Sequence, residues 1–526
     1  MKYIKIWLLL LEEKKTQTVL FLLILLVFAI TRFAFLGRVP AGIHVDEAGA
    51  AYDAQCIANY GVDRYLTKFP PYLKNYGGGQ SVLYAYTAAL LIKVFGFSIQ
   101  LFRAVAGIYG LMACISLFFL GKLVFKDEKY ALIAPFLMTV MPEFLMSERW
   151  GLDCNLFLSL IIISIFALVK AIKSGSKAVY FFAGLLFGLT LYTYAISYVI
   201  LPLFLLLTLL YLIYIKEVRA VNAVLLAIPF ILLGIPLLLE QLVNSGIIQE
   251  FSTPFMDFFR MDFYRGGEFS LNNISENLRS LWSLFSHDQL SYNAKGLFGT
   301  VYYISLPFIV IGLVLCVQRA FISIRRKSFD FSVILLLYFL VAFAVILVIE
   351  DININRANYF YAALIMLASA GIAYFWSKNR MSVAVILPLY LICFLAFGIY
   401  YFTGGYNADT TPAATGGMFQ RRDLGEAVKY LDEKYDGQAK IWVIANDAVE
   451  WHIIIAAMNA TSPYEFEKEG YAEGNYEIGV PTDLDISGKS AYVIGKDNHH
   501  ITDYLATVGF VVDDGRYEKY SLVYKE

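Results

Sequence analysis

The first hydrophobic segment and the polar loop behind it decide how this sequence is interpreted. The segment reads TVLFLLILLVFAITRFAFL (residues 18–36), and the loop begins GRVPAGIHVDEA (residues 37–48). A run of this length is what a helix needs to cross a bilayer. Asp46 and Glu47 therefore lie close to the end of a membrane span. A carboxylate there is able to accept a proton from an attacking hydroxyl, so this loop is the first place to look for chemistry.

The composition is that of a chain that lies mostly in a membrane. Hydrophobic residues make up 59% of the sequence and charged residues 16%, and the mean hydropathy is +0.62. A soluble domain needs far fewer apolar residues to fill its core. The formal net charge of −1 gives no indication of a nucleic-acid partner. The N-terminal lysines precede a span with no small-residue cleavage site, which predicts an uncleaved signal-anchor.

The five cysteines indicate neither a disulfide framework nor a metal site, because they form no CxxC pair and stand mostly in apolar runs. We therefore predict that no cysteine-based metal centre is present.

Hydrophobic runs of the length that a bilayer requires recur along the chain and predict about eleven transmembrane helices. They are 18–36, 101–121, 130–146, 155–172, 179–194, 197–215, 220–239, 300–317, 331–349, 358–376 and 382–402. There is a further apolar stretch, 81–95. Whether it spans the membrane decides on which side every later loop lies. Counting it as a span places most lysine and arginine clusters outside, against the positive-inside bias. We therefore interpret it as an interfacial or re-entrant helix, with the N-terminus in the cytoplasm.

Two domains are predicted from this topology. Residues 1–403 form the membrane domain, with a first outer loop at 37–80 and a long outer loop at 240–299. Residues 404–526 contain no spanning run. They alternate strand-like and helix-like stretches, which predicts a small α/β domain outside the cell. Lysine-weighted inner loops favour a bacterial plasma membrane.

Several charged or polar residues fall at the predicted outer ends of the spans. Arg64 and Lys74 are cations at headgroup level, where they would attract a lipid phosphate. Arg149 and Asp153 are four apart and would share a helix face, and Arg103 lies just inside the next span. A charge at a membrane boundary is costly unless it is paired or functional. Each of these residues also fits a purely structural role, as a charge that is paired with a neighbour or anchored at the interface.

Further polar residues are candidate substrate contacts on the same side. Tyr194 belongs to an aromatic turn that would line a sugar site, although tyrosines at a membrane interface are commonly belt residues. Asn355 and Arg356 offer hydrogen bonds and a cation at the end of another span. Asp46 and Glu47 have a structural alternative as well, in which both are solvated acids of a loop that only accept bonds from local backbone N–H groups.

The order of these motifs resembles a known family. A first span is followed by Asp46-Glu47, a glycine-rich stretch leading into an interfacial helix, Arg103, and Pro142 before 147–153. This resembles the GT-C-fold membrane glycosyltransferases of the protein O-mannosyltransferase and aminoarabinose transferase superfamily. The resemblance covers about residues 18–376. It implies a GT-C-like fold, an α-helical polytopic membrane protein, to which the alternating pattern of residues 404–526 adds a C-terminal extracytoplasmic α/β domain.

The resemblance also implies an activity, the transfer of a sugar from a polyprenyl-phosphate donor to an acceptor hydroxyl at the outer face. It assigns the general base to Asp46, with Glu47 beside it. The family often has Lys-Pro-Pro-Leu where this chain has Gly79-Gln80-Ser81-Val82-Leu83. Gln80 thus marks a departure, and Lys74, Arg64 and Arg149 are the substitutes expected to contact phosphate. Some relatives hold a divalent metal, so the resemblance leaves a metal open.

Two other classes of function are kept. A transporter or flippase of lipid-linked saccharides would have charges near the middle of several spans and related halves of the chain. A non-catalytic cell-envelope assembly protein would use the outer domain for binding. The acceptor, whether protein, glycan or another lipid, is not specified by the sequence.

Overall fold

The computed structural model describes residues 13–75, 78–262, 268–286, 290–293, 296–410, 419–421, 423–445, 451–469, 476–517 and 519–526. Within these ranges, nine helices are long and hydrophobic enough to cross a bilayer, and they contain 18 to 26 residues each. At the α-helical rise this is about 27 to 39 Å, enough for a hydrocarbon core of about 30 Å. Their bounds are Lys14–Phe33, Ile99–Val124, Asp153–Ser174, Ser197–Tyr214, Ala220–Asn244, Leu306–Arg326, Phe331–Val348, Phe360–Lys378 and Val383–Phe402. The chain is a multi-pass membrane protein.

The two remaining predicted spans differ from the expectation in form. The helix Lys177–Leu191 has 15 residues. The predicted span 130–146 is divided into the 3-10 turn Glu128–Leu132 and the helices Ile133–Val140 and Pro142–Ser147. Pro142 has no N–H to donate and restricts the residue before it to extended geometry. The helix therefore ends before Met141, whose ψ is 139°.

The apolar stretch 81–95 forms the helix Leu83–Phe95, which has 13 residues and is about 20 Å long. Tyr84 and Ala85 on one face are buried, whereas Leu90 and Val94 are 73% and 72% exposed. A helix too short to span, with one apolar face open, supports the predicted interfacial placement. The assignment of each side to cytoplasm or exterior stays a prediction.

The first loop carries its own compact structure. Strand Gly42–His44 leads into helix Val45–Tyr60, and the hairpin strands Tyr72–Asn75 and Gly78–Ser81 follow. The helix begins with a capping box, in which the His44 ring accepts from the backbone N–H of Asp46 and Glu47 reaches back to the N–H of His44.

The long outer loop contains short elements between the described gaps. They are the strands Phe251–Ser252 and Asp257–Phe258, the helix Ile274–Ser280 and the 3-10 turns Leu271–Asn273, Leu281–Leu284, Ser291–Asn293 and Gly296–Phe298. The 3-10 turn Tyr303–Ser305 directly precedes helix Leu306–Arg326, and the short elements Arg380–Ser382 and Gly405–Asp409 flank the last span.

The C-terminal part forms the predicted α/β structure around a five-stranded mixed sheet. In spatial order its strands are Val511–Asp513, Tyr520–Tyr524, Ser490–Gly495, Lys440–Ile444 and Tyr476–Ile478. The last three run parallel, and Tyr520–Tyr524 pairs antiparallel with both of its neighbours. The helices are Asp423–Lys434, Trp451–Asn459, Pro463–Glu469, and His499–Thr507 after the 3-10 turn Lys496–Asn498.

The C-terminal part packs directly on the first loop. Strand Phe419–Arg421 pairs antiparallel with Gly42–His44. The Gln55 side chain donates to the carbonyl of Ala457 at 2.8 Å. The sheet-containing part therefore rests on the helix that begins beside Asp46.

Candidate active site

A cavity of about 390 Å³ lies where the first loop meets the span ends. Its walls come from the hairpin, the start of helix Asp153–Ser174, the turn before Ser197–Tyr214, the end of Ala220–Asn244 and the segment before Phe360–Lys378. The lining residues include Asp46, Tyr72, Asn75, Gln80, Asp153, Tyr194, Tyr198, Asn244, Glu268, Asn355 and Arg356. Six predicted site residues are thereby brought into one hollow: Asp46, Gln80, Asp153, Tyr194, Asn355 and Arg356.

Asp46 presents its carboxylate to this cavity from the first turn of helix Val45–Tyr60. The side chain is 44% exposed. Its Oδ1 accepts a hydrogen bond from Asn75 Nδ2 at 2.8 Å, and Gln80 Nε2 donates to the Asp46 carbonyl at 3.3 Å. The carboxylate is thus held by an amide yet open to a ligand, as a general base requires.

His44 lies beside this carboxylate but does not neutralise it. Burial lowers the pKa of His44, opposed by the carboxylates of Asp46 and Glu47. Its Nδ1 accepts from the backbone N–H of Asp46 at 3.1 Å, which places the proton of the neutral ring on Nε2. The 3.7 Å approach of Nδ1 to Asp46 Oδ2 therefore joins an uncharged ring to the carboxylate.

Glu47 has a different environment from its neighbour. It is fully buried and accepts from Arg103 at both oxygens, at 2.7 and 2.8 Å. The N–H of Gly151 adds a third bond to it at 2.9 Å. Arg103 uses its other donors on the carbonyls of Leu36, Pro40 and Gly42. This pair ties the first loop to helix Ile99–Val124, so Glu47 and Arg103 hold the site from behind.

Arg149, a predicted phosphate contact, likewise lies behind the cavity wall. It is fully buried, and its Nη atoms donate to the carbonyls of Thr31, Arg32 and Val39 at 2.6 to 3.1 Å. Four apart in sequence, Arg149 and Asp153 do not share a helix face, because Arg149 precedes the helix that begins at Asp153.

Arg64 is also fully buried. Its Nη2 donates to Asn75 Oδ1 at 2.5 Å and to the Lys74 carbonyl at 3.1 Å, and its Nη1 lies 3.6 Å from Asp53 Oδ2. It supports the hairpin rather than facing the hollow. Lys74 is 27% exposed and pairs with Asp262 at 3.1 Å.

Arg356 is the predicted cation that does line the cavity. Its side chain is 20% exposed and lies 3.4 Å from Glu268 Oε1, and its Nη1 donates to the Glu350 carbonyl. Next to it, Asn355 donates to the Tyr292 hydroxyl at 2.9 Å. A partly exposed guanidinium that lines the cavity is suited to contact an anionic group, although Glu268 already lies beside it.

The remaining predicted residues shape the opposite wall. Asp153 Oδ2 accepts from the backbone N–H of Ser81 at 2.9 Å, which fixes the hairpin to the start of a span. Gly79 has a structural reason to lack a side chain, since a Cβ would lie 1.9 Å from the Tyr72 ring. Tyr194 contributes an aromatic face to the cavity, a common element of sugar sites.

A larger cavity, of about 530 Å³, lies among the C-terminal halves of helices Ile99–Val124 and Phe360–Lys378, the start of Phe331–Val348 and part of Leu306–Arg326. Its lining is hydrophobic apart from a few hydroxyls, Lys126 and Arg319. It offers no carboxylate to act as a base, and we therefore place the chemistry in the smaller one.

The described ranges contain no cluster of the side chains that commonly bind metals. Among those residues, no three His, Cys, Asp or Glu side chains are grouped closely enough to hold an ion.

Sequence analysis did not identify Asn75 or Glu268 as site residues. Asn75 follows a basic residue in a loop without a motif, and Glu268 is separated from Arg356 by 88 positions in sequence. Only the position of Asn75 next to the glycine-rich stretch offered a signal.

Comparison with known proteins gives one match to a family model and several similar solved structures. Residues 80–239 match the family model described as dolichyl-phosphate-mannose-protein mannosyltransferase. None of the curated proteins compared with the chain matches it.

ArnT from Cupriavidus metallidurans, solved bound to undecaprenyl phosphate, is 11% identical, with 97% of this chain and 98% of that chain covered and a TM-score of 0.51. The apo oligosaccharyltransferase of Archaeoglobus fulgidus is 14% identical, with a TM-score of 0.47, and the match covers 85% of this chain and 64% of the other. The likeness to ArnT shows a shared GT-C fold.

Proposed function

We propose that this protein is a membrane glycosyltransferase that moves a sugar from a polyprenyl-phosphate carrier to an acceptor hydroxyl, with Asp46 as the general base. The observation that carries the proposal is that two groups of opposite charge line one cavity. A partly exposed carboxylate, Asp46, and a guanidinium, Arg356, line the same cavity in a chain with the GT-C fold.

The reaction that fits these groups is a direct displacement. Asp46 takes the proton of the acceptor hydroxyl as its oxygen attacks the anomeric carbon. The bond between that carbon and the phosphate oxygen breaks, and the polyprenyl phosphate leaves with the electron pair. Arg356 offsets the negative charge that grows on the leaving phosphate. We assign the sugar contacts to Tyr194, Asn355 and Asp153, because they line the same cavity.

The donor class rests on chemistry and on likeness. A cavity at the level of the span ends accepts a headgroup while its lipid chain stays in the bilayer. ArnT of the same fold was solved with undecaprenyl phosphate, and the matching family model names a dolichyl-phosphate mannose donor. We propose a hexosyl or pentosyl transfer.

We infer the orientation of the protein in the membrane from the positions of its lysines and arginines. Lysines and arginines at the helix ends away from the cavity, such as Lys122, Lys173, Arg326 and Lys378, fit the cytoplasmic side. The cavity and the C-terminal domain then face outward from the plasma membrane. A flippase is less well supported, because Arg32 and Arg103 lie near span ends.

The test is transfer by Asp46→Asn in native membranes supplied with undecaprenyl-phosphate hexoses or pentoses labelled in the sugar. We expect a loss of about 10²- to 10⁴-fold in rate, the usual contribution of a general base, without loss of inserted protein. The exposed Asp503→Asn on the C-terminal helix is the matched control and keeps wild-type transfer. Undiminished transfer by Asp46→Asn would remove this residue from the role.

A further inference from the structure

Asn75 connects the candidate base to a buried arginine. It ends the hairpin strand Tyr72–Asn75 and is 5% exposed. Its Nδ2 donates to Asp46 Oδ1 at 2.8 Å, while its Oδ1 accepts from Arg64 Nη2 at 2.5 Å. Because an arginine has only donors, the amide oxygen must face Arg64, and the amide N–H groups are turned toward Asp46.

Arg64 is itself held by Asp53 at two points, its backbone and its guanidinium. Its backbone N–H donates to Asp53 Oδ1 at 3.1 Å, and its Nη1 lies 3.6 Å from Asp53 Oδ2. Gly49 provides the space for this crossing, because a Cβ there would lie 2.6 Å from both Arg64 Nη1 and Asn75 Oδ1. The chain of contacts from Asp53 through Arg64 to Asn75 is therefore built into the loop.

We propose that Asn75 is a positioning residue for the reaction, which rests on the proposed function of Asp46. The amide holds Oδ1 of the carboxylate and leaves Oδ2 to take the proton of the acceptor. Arg64 sets the orientation of the amide and does not contact the donor phosphate. A carboxylate kept in one orientation by a buried partner meets the acceptor without searching for it.

The decisive variant is Asn75→Asp, which separates this role from support of the hairpin. The new carboxylate keeps an oxygen for Arg64 but replaces the donor to Asp46 with an acceptor. We expect kcat to fall about ten- to hundredfold, as for a lost charge-assisted hydrogen bond. The KM for the undecaprenyl-phosphate sugar should stay within about twofold, because Asn75 bonds to the base and not to the donor. Asn75→Ala loses both contacts and should also lower the thermal unfolding temperature.

Wild-type kcat in a folded Asn75→Asp protein would overturn the proposal, since a purely structural role predicts that outcome. If Asn75→Asp does not accumulate, Asn75→Ser is measured instead. A kcat loss at unchanged KM supports the proposal, and an unchanged kcat refutes it.

Parallel assays keep this inference separate from the proposed function. In the Asp46→Asn background, Asn75→Asp should cause no further loss, because the interaction needs both partners. Full activity of Asp46→Asn would contradict the proposed function itself. Inactive Asp46→Asn together with fully active Asn75→Asp would contradict only the positioning role.

Discussion

Asp46 and Glu47 are adjacent in sequence yet occupy opposite sides of the cavity wall. The Asp46 carboxylate is 44% exposed and lines the hollow with Arg356. Glu47 is fully buried and has two bonds from Arg103 and one from the Gly151 N–H. The difference teaches that charge at a span end serves two purposes here. Groups whose bonding capacity is met inside the protein hold the loop, and those left open to the cavity are available for chemistry.

Among the variants that distinguish the buried Glu47 from the exposed Asp46, Glu47→Gln is expected to have the largest effect, a loss of folding stability. Removing one member of a buried ion pair leaves Arg103 uncompensated and costs about 3–5 kcal/mol. We expect little folded protein and a lower thermal unfolding temperature in detergent, whereas Asp46→Asn unfolds as wild type does. A Glu47→Gln protein of normal stability without transfer activity would instead make Glu47 a catalytic residue.

A smaller effect, on the KM for the donor, should separate Arg356, which lines the cavity, from Lys74, which pairs with Asp262. Arg356→Gln is expected to raise the KM for an undecaprenyl-phosphate sugar about tenfold, the value of one charge-assisted bond. Lys74→Gln, at a partly exposed residue paired with Asp262, should change it less than threefold, as for surface pairs. Initial rates over a range of donor concentration give both values. The reverse order would place the phosphate against the hairpin.

The smallest effect is the pH dependence of folding stability that we expect from Asp63 in the first loop. Burial, with the neighbouring Asp53 carboxylate, raises the pKa of Asp63 to about 7. A raised pKa in the folded state means that stability is lost as pH rises from the unfolded value toward 7. Asp63→Asn keeps an oxygen for the Tyr65 and Thr67 N–H groups and removes the charge. Its unfolding temperature should exceed that of wild type by on the order of 1 °C at pH 8.

At pH 5 that difference should shrink, because Asp63 in the folded protein is then largely protonated. An equal difference at both pH values would contradict the shift. Thermal unfolding in one detergent at the two pH values measures it.

Much of this fold could be predicted because membrane spans are read from length and hydropathy alone. The divided segment at Pro142 was also visible in principle, since proline ends a helix at the residue before it. The strands Lys440–Ile444 and Ser490–Gly495 match the alternation predicted for the C-terminal part. Local pattern was enough in each case.

The roles of the arginines could not be predicted. Arg149 and Arg356 have the same sequence signal, a cation at a span end. Their difference arises because backbone carbonyls at Thr31, Arg32 and Val39 surround Arg149, and these lie more than a hundred residues away. Asn75 carries no motif, and its bond to Asp46 exists only because the hairpin folds back over helix Val45–Tyr60.

The most direct test of the account is a structure of the protein with undecaprenyl phosphate. We expect the phosphate within hydrogen-bond distance of the Arg356 guanidinium and in the same cavity as the Asp46 carboxylate, with the prenyl chain leading into the bilayer. A phosphate bound instead in the larger cavity, beside Lys126 and Arg319, would contradict the account.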